Sequence, residues 1–142
     1  MAELDAYEDD PSIADGTLLL RRVLTRPDVS IVWDDNLSRW RPSSVAFEDH
    51  RNGTPMSIVL TDTLDAMGRS YESALAGHED THSLAAISAG LARQCAQKVA
   101  REPTQDEPAH GVVVGQKTKK IQRKLAKAAE WIVEPRITRS RG

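Results

Sequence analysis

The spacing of apolar positions changes near residue 61. Before it, apolar residues come in short runs or alternate with polar ones. Leu18-Leu19-Leu20 sits in a candidate strand over 17–24, with Arg21 and Arg22 near its end. Val29, Ile31 and Trp33 share one face of a second, over 29–33. Arg41-Pro42 holds Arg41 extended, and residues 44–47 suit a short strand. Asn52-Gly53 is the pair that a tight hairpin turn favours, so Met56 to Leu60 reads as a returning strand. Residues 17–60 thus predict an antiparallel meander.

After residue 61 the helical period takes over. Short helices fit 61–67, stopped by Gly68, and 70–75, stopped by Gly77. Leu84, Ile87, Leu91, Cys95 and Val99 recur at three or four residues, which predicts a helix over 83–101. Gly90 argues against it, and a pair of strands over 84–100 is the alternative. Val112-Val113-Val114 between two glycines is a short buried strand. Thr118 caps a last helix over 119–132, with Ile121, Leu125, Ala128, Ala129 and Ile132 as its apolar stripe. The expected architecture is α+β: a small antiparallel sheet from the N-terminal half, covered by two main helices. Residues 1–16 read as a mobile acidic arm, 17–135 as one domain and 136–142 as a basic tail.

Charge adds an asymmetry that the net value of −2 conceals. Residues 1–16 carry six acidic side chains and no basic one. Residues 117–142 carry nine basic side chains against Glu130 and Glu134. An uneven division of this kind marks a surface that meets a charged partner, or ends that attract each other. No apolar run reaches the roughly 20 residues of a spanning helix. The acidic start lacks the basic and apolar parts of a secretory signal. Cys95 stands alone, which favours a reducing, cytoplasmic setting. The abundance of Ala and Arg suggests a bacterial source.

Three residue sets carry candidate chemistry. The first is the basic helix. Lys117, Lys120, Arg123, Lys124 and Lys127 cover one side of it and Trp131 lies at the edge. Such a face can hold phosphates and stack a base, or bind an acidic protein. The expected function is therefore a small binding or adaptor protein, acting on an acidic protein partner or on nucleic acid. The second set is Arg21, Arg22, Arg39, Arg41, Ser43 and Ser44 at strand ends, able to grip a phosphate or carboxylate. It suggests an anion- or nucleotide-handling transferase as an alternative.

The third set is His78-Glu79-Asp80-Thr81-His82, an H-E-x-x-H pattern. It resembles the active-site helix of zinc-dependent metallopeptidases over these five residues alone. The resemblance implies zinc held by His78 and His82, with Glu79 as general base. Glu102, Glu107 or His110 would supply a third ligand. Gly77 precedes the motif and Asp80 occupies a position that is uncharged in that family, so the segment is expected to be a loop before a helix. On that reading the protein needs no cofactor, and the zinc hydrolase is a second alternative.

Overall fold

The computed structural model describes residues 7–50 and 52–136. Their chain order is β1 (Leu18–Leu24), β2 (Ile31–Asp34), β3 (Arg39–Pro42), a 3₁₀ turn (Ser44–Phe47), β4 (Met56–Leu60) and α1 (Thr61–Met67). A second 3₁₀ turn (Tyr71–Leu75), β5 (His82–Ser88), α2 (Ala89–Gln94), β6 (Lys98–Arg101), β7 (His110–Val114), α3 (Lys119–Ala128) and β8 (Glu130–Val133) follow. Six strands form an antiparallel sheet in the order β6-β7-β4-β1-β5-β8, and β2 and β3 pair separately. The fold is α+β, as the spacing of apolar residues predicts. Its sheet, however, draws strands from both halves of the chain.

Alternation along the central strands builds two cores, one on each face of the sheet. Leu19 and Val23 of β1 join Ile58, Ala85, Ile87 and Leu125 in the larger. Leu20 joins Val59, Leu64, Leu75, Leu84 and Ala86 in the smaller. β5 therefore contributes to both, and Ser83 to Ile87 are all buried. This overturns the single helix expected over 83–101. Leu84 and Ile87 share one side of a helix, but a strand sends them to opposite faces, each with a core of its own. Ser88 then caps α2 by accepting a hydrogen bond from the Leu91 amide at 3.0 Å. The chain turns through Ala96, at φ 62°, into β6. Two strands with a short helix between them replace the long helix, close to the two-strand alternative.

Two other expectations change. Residues 44–47 form a 3₁₀ turn, not a strand, and bury Ala46 and Phe47 against α3. The last helix stops at Ala128, because Ala129 is extended and residues 130–133 pair with β5. Ile132 and Val133 then pack on the smaller core, which favours a strand for these β-branched residues.

Residues 7–16 are docked, although the sequence suggested a mobile arm. Ile13 is fully buried in the larger core. Asp9 accepts hydrogen bonds from the Val99 amide (2.9 Å) and from Arg93 (3.0 Å). Asp15 pairs with Arg93 at 2.7 Å, and Arg101 sits between Asp10 (3.4 Å) and Asp62 (2.7 Å). Asp9, Asp10 and Asp15 are thus held by Arg93 and Arg101. Residues 1–6 and most of the expected basic tail, 137–142, lie outside the described residues. Among the described residues, no helix is long and apolar enough to cross a membrane.

Candidate functional site

The sheet has a weak seam. β1 pairs with β5 along its whole length, and β4 pairs with β7 from Met56 to Val59. β1 and β4 themselves align only at Leu19↔Leu60 and Leu20↔Val59. Beyond Leu20 the two strands part, and a cleft of about 650 Å³ opens over the gap.

Adjacent residues of β1 fill the gap from its two faces. Arg21 points toward the larger core's side and donates to the carbonyls of Ala46 and Ser57, each at 2.8 Å. Those bonds occupy backbone acceptors beside the seam. Burial lowers the Arg21 guanidinium to about 10, although the negative charges of Asp49 and Glu48 pull the other way. Arg22 points to the opposite face. Its Nε donates to the Ala74 carbonyl at 2.8 Å, and its Nη1 lies 3.3 Å from His78 Nε2. A guanidinium only donates, so His78 Nε2 is the acceptor of this contact.

All four histidines of the chain line this cleft, with Arg21, Arg22 and Arg69. His50 Nε2 is 3.1 Å from the Ser57 hydroxyl. His110 Nδ1 donates to the Glu102 carbonyl at 2.7 Å, so its Nε2 is an acceptor when the ring is neutral. His82 closes one end, with Nδ1 2.8 Å from the Thr81 hydroxyl. Burial holds His82 below its ordinary value, and the neighbouring His78, Arg22 and Arg21 push it the same way. The cleft is therefore electropositive at His82.

Arg69 forms a direct ion pair in the cleft. It meets Glu107 in a two-bond fork, Nη1–Oε2 at 2.6 Å and Nη2–Oε1 at 2.9 Å. The pair lowers Glu107 and raises Arg69. Glu107 also accepts from the Ala109 amide at 3.1 Å, which fastens the loop before β7 across the cleft. Gly111 lets β7 sit close: a Cβ there would lie 2.8 Å from the Ala100 carbonyl oxygen and 2.9 Å from Ile58 Cδ1.

The chain matches no family model, no curated protein and no solved structure.

The candidate residues divide sharply. Arg21 and Arg22 belong to the cleft. Arg41 instead pairs with Asp34 at 3.1 Å, the buried Ser43 hydroxyl donates to the Val29 carbonyl at 2.6 Å, and Ser44 opens a 3₁₀ turn. That arginine and those serines stabilise the β2–β3 hairpin and its exit. His78 and His82 do approach each other, with ring centroids 5.4 Å apart and planes at 87°. They flank a turn, however, in which the His82 amide bonds the His78 carbonyl at 2.9 Å. Glu79 is exposed outside the cleft. The three residues considered as a third zinc ligand are engaged: Glu102 with the Tyr7 hydroxyl, Glu107 with Arg69, and His110 with a carbonyl. Among the described residues no three His, Cys, Asp or Glu side chains converge on a metal position. The H-E-x-x-H geometry is not formed.

On the basic helix, Lys120, Arg123, Lys124 and Lys127 are exposed. Lys117 does not belong to that face: its side chain is 2% exposed and pairs with Asp49 at 2.7 Å. Trp131 lies on β8, not on the helix. No spacing or motif marks His50, Arg69 or Ser57 as site residues. The nearest clue is the Asn52-Gly53 turn, which folds His50 back over Ser57.

Proposed function

We propose that this protein binds a small phosphate-bearing anion in the cleft between the two halves of its sheet. The observation that carries the reading is Arg22. Its guanidinium lines the cleft and donates to the Ala74 carbonyl and to His78, and the carboxylate whose charge it feels, Glu107, is already held by Arg69 in a two-bond fork. A cation at a concave site whose nearest carboxylate is shared with a second arginine favours an anionic guest, and a guanidinium suits phosphate oxygens in a two-bond fork. The surrounding groups agree. Ser57 and Ser73 add hydroxyls, and the imidazoles donate once protonated. The volume falls within the roughly 300–1,000 Å³ of small-molecule sites. A cytoplasmic setting belongs to the same reading, supported by the single buried thiol of Cys95.

Isothermal titration with inorganic phosphate and with a nucleoside monophosphate tests this, with acetate as control. Binding of both phosphates and a loss of about tenfold or more in Arg22→Gln is expected, since a charge-assisted hydrogen bond contributes about 1.5–3 kcal/mol. No binding of either phosphate at about 10 mM, where even a millimolar site is filled, would end the proposal.

A further inference from the structure

All three tryptophans of the chain meet at a second place, away from the cleft. Trp33 and Trp40 face each other across the β2–β3 hairpin, with centroids 5.6 Å apart and planes at 83°. Trp131 of β8 donates its indole N–H to the Trp40 carbonyl at 3.0 Å, which ties the hairpin to the main sheet. Together with Arg39, Glu134 and Pro135 they line a groove of about 210 Å³. The groove is smaller than the roughly 300 Å³ at which pockets begin to enclose a drug-sized ligand. It suits one flat ring. The three indoles remain only partly covered by the fold.

The groove adjoins the basic helix in two ways. α3 packs against β3, which carries Arg39 and Trp40, and it runs through Ala129 into β8, which carries Trp131. On α3, Lys120, Arg123, Lys124 and Lys127 are exposed three or four residues apart, so they form one stripe. No carboxylate among the described residues pairs with any of them. Neighbouring like charges weaken a helix, and an anionic polymer laid along the stripe relieves that repulsion.

We propose that the tryptophan groove and the α3 stripe form a binding surface for single-stranded nucleic acid, with the phosphates on the lysines and an unstacked base against the indoles. The aromatic recess decides the class of partner. An acidic protein needs the cations alone, and a duplex keeps its bases stacked out of the groove's reach. A single strand uses both parts.

The test is fluorescence anisotropy of the full chain with a labelled oligothymidylate or oligouridylate of about twelve nucleotides, within the ~4–16 that a small domain covers. Binding at about 50 mM salt that weakens steeply as salt rises is expected. Lys120→Glu with Lys124→Glu should abolish it, and Trp33→Leu should weaken it about fivefold or more. Quenching of wild-type tryptophan emission on binding gives a readout that does not depend on any variant's folding. Three results overturn the proposal: no binding of either oligonucleotide, binding that ignores Trp33→Leu and leaves tryptophan emission unchanged, or tighter binding of a duplex or an acidic peptide of equal charge.

Discussion

Replacing Asp49 by asparagine removes the counter-charge from an ammonium that water barely reaches. Lys117 is 2% exposed, and its Nζ touches Asp49 Oδ1 at 2.7 Å and donates to the Val113 carbonyl at 2.8 Å. Burial already pushes Lys117 below its ordinary value, with Asp49 pulling it back up. Asp49 also opposes the charge of Arg21 and accepts from the Met56 amide at 3.0 Å. Breaking a buried pair from one side costs about 3–5 kcal/mol. Asp49 is 28% exposed and asparagine keeps an acceptor for Met56, so the cost falls to or just below the bottom of that range, about 2–3 kcal/mol. Lys117→Met is milder, at about 1 kcal/mol, because the carboxylate left behind can hydrate. The two changes are therefore not additive, and adding Lys117→Met to Asp49→Asn should restore stability. Urea unfolding with linear extrapolation measures all three variants. The Asp49→Asn deficit should also shrink at alkaline pH. The folded-state Lys117 lies below its unfolded 10.5, so folding gains as pH rises through the folded value and the lysine discharges. A double variant less stable than Asp49→Asn alone would refute this reasoning.

Ile13→Ala empties a fully buried position, and a loss of about 2–3 kcal/mol is expected, the low end for such truncations because the segment can detach locally. Faster native-state cleavage after residue 8 by an Asp-specific protease reports it, and an unchanged rate would contradict docking of the arm. Glu107 and Asp62 are both held below their unfolded values by hydrogen bonds from Arg69 and Arg101. The stability they lend is complete above the unfolded values of 4.5 and 3.8 and is lost as pH falls through the lower folded ones. The urea midpoint should drop between about pH 5 and 3, and less steeply in Arg69→Gln, whereas parallel profiles would count against the pairing.

The strands over 17–24 and 56–60 and the helix over 61–67 were legible because each carries one local signal with no competitor. Gly68, at φ 69°, ends α1 where the glycine suggested. The stretch 83–101 misled for a physical reason. A strand buried on both faces and an amphipathic helix can share the same spacing of large apolar residues, and only the second core distinguishes them. Gly90, the doubtful residue of that helix, has another purpose: a Cβ there would lie 3.1 Å from the Asp15 Cβ, where the arm crosses α2. Ile13, a single apolar residue among acids, gave no period to detect. In the site, Arg21, Arg22, His78 and His82 were each visible as candidates in separate sets. Their convergence was not, since it depends on β1 and β4 parting after two residue pairs, and that is a property of the assembled sheet.

The most direct test of the central claim is the titration of the His82 ring by NMR, with and without saturating inorganic phosphate. In the free protein its pKa should lie below the ordinary 6.5, because the ring is buried among His78, Arg22 and Arg21. Phosphate seated at Arg22 should raise it by offsetting that positive field. A His82 titration that is the same in both conditions would show that no anion occupies the cleft.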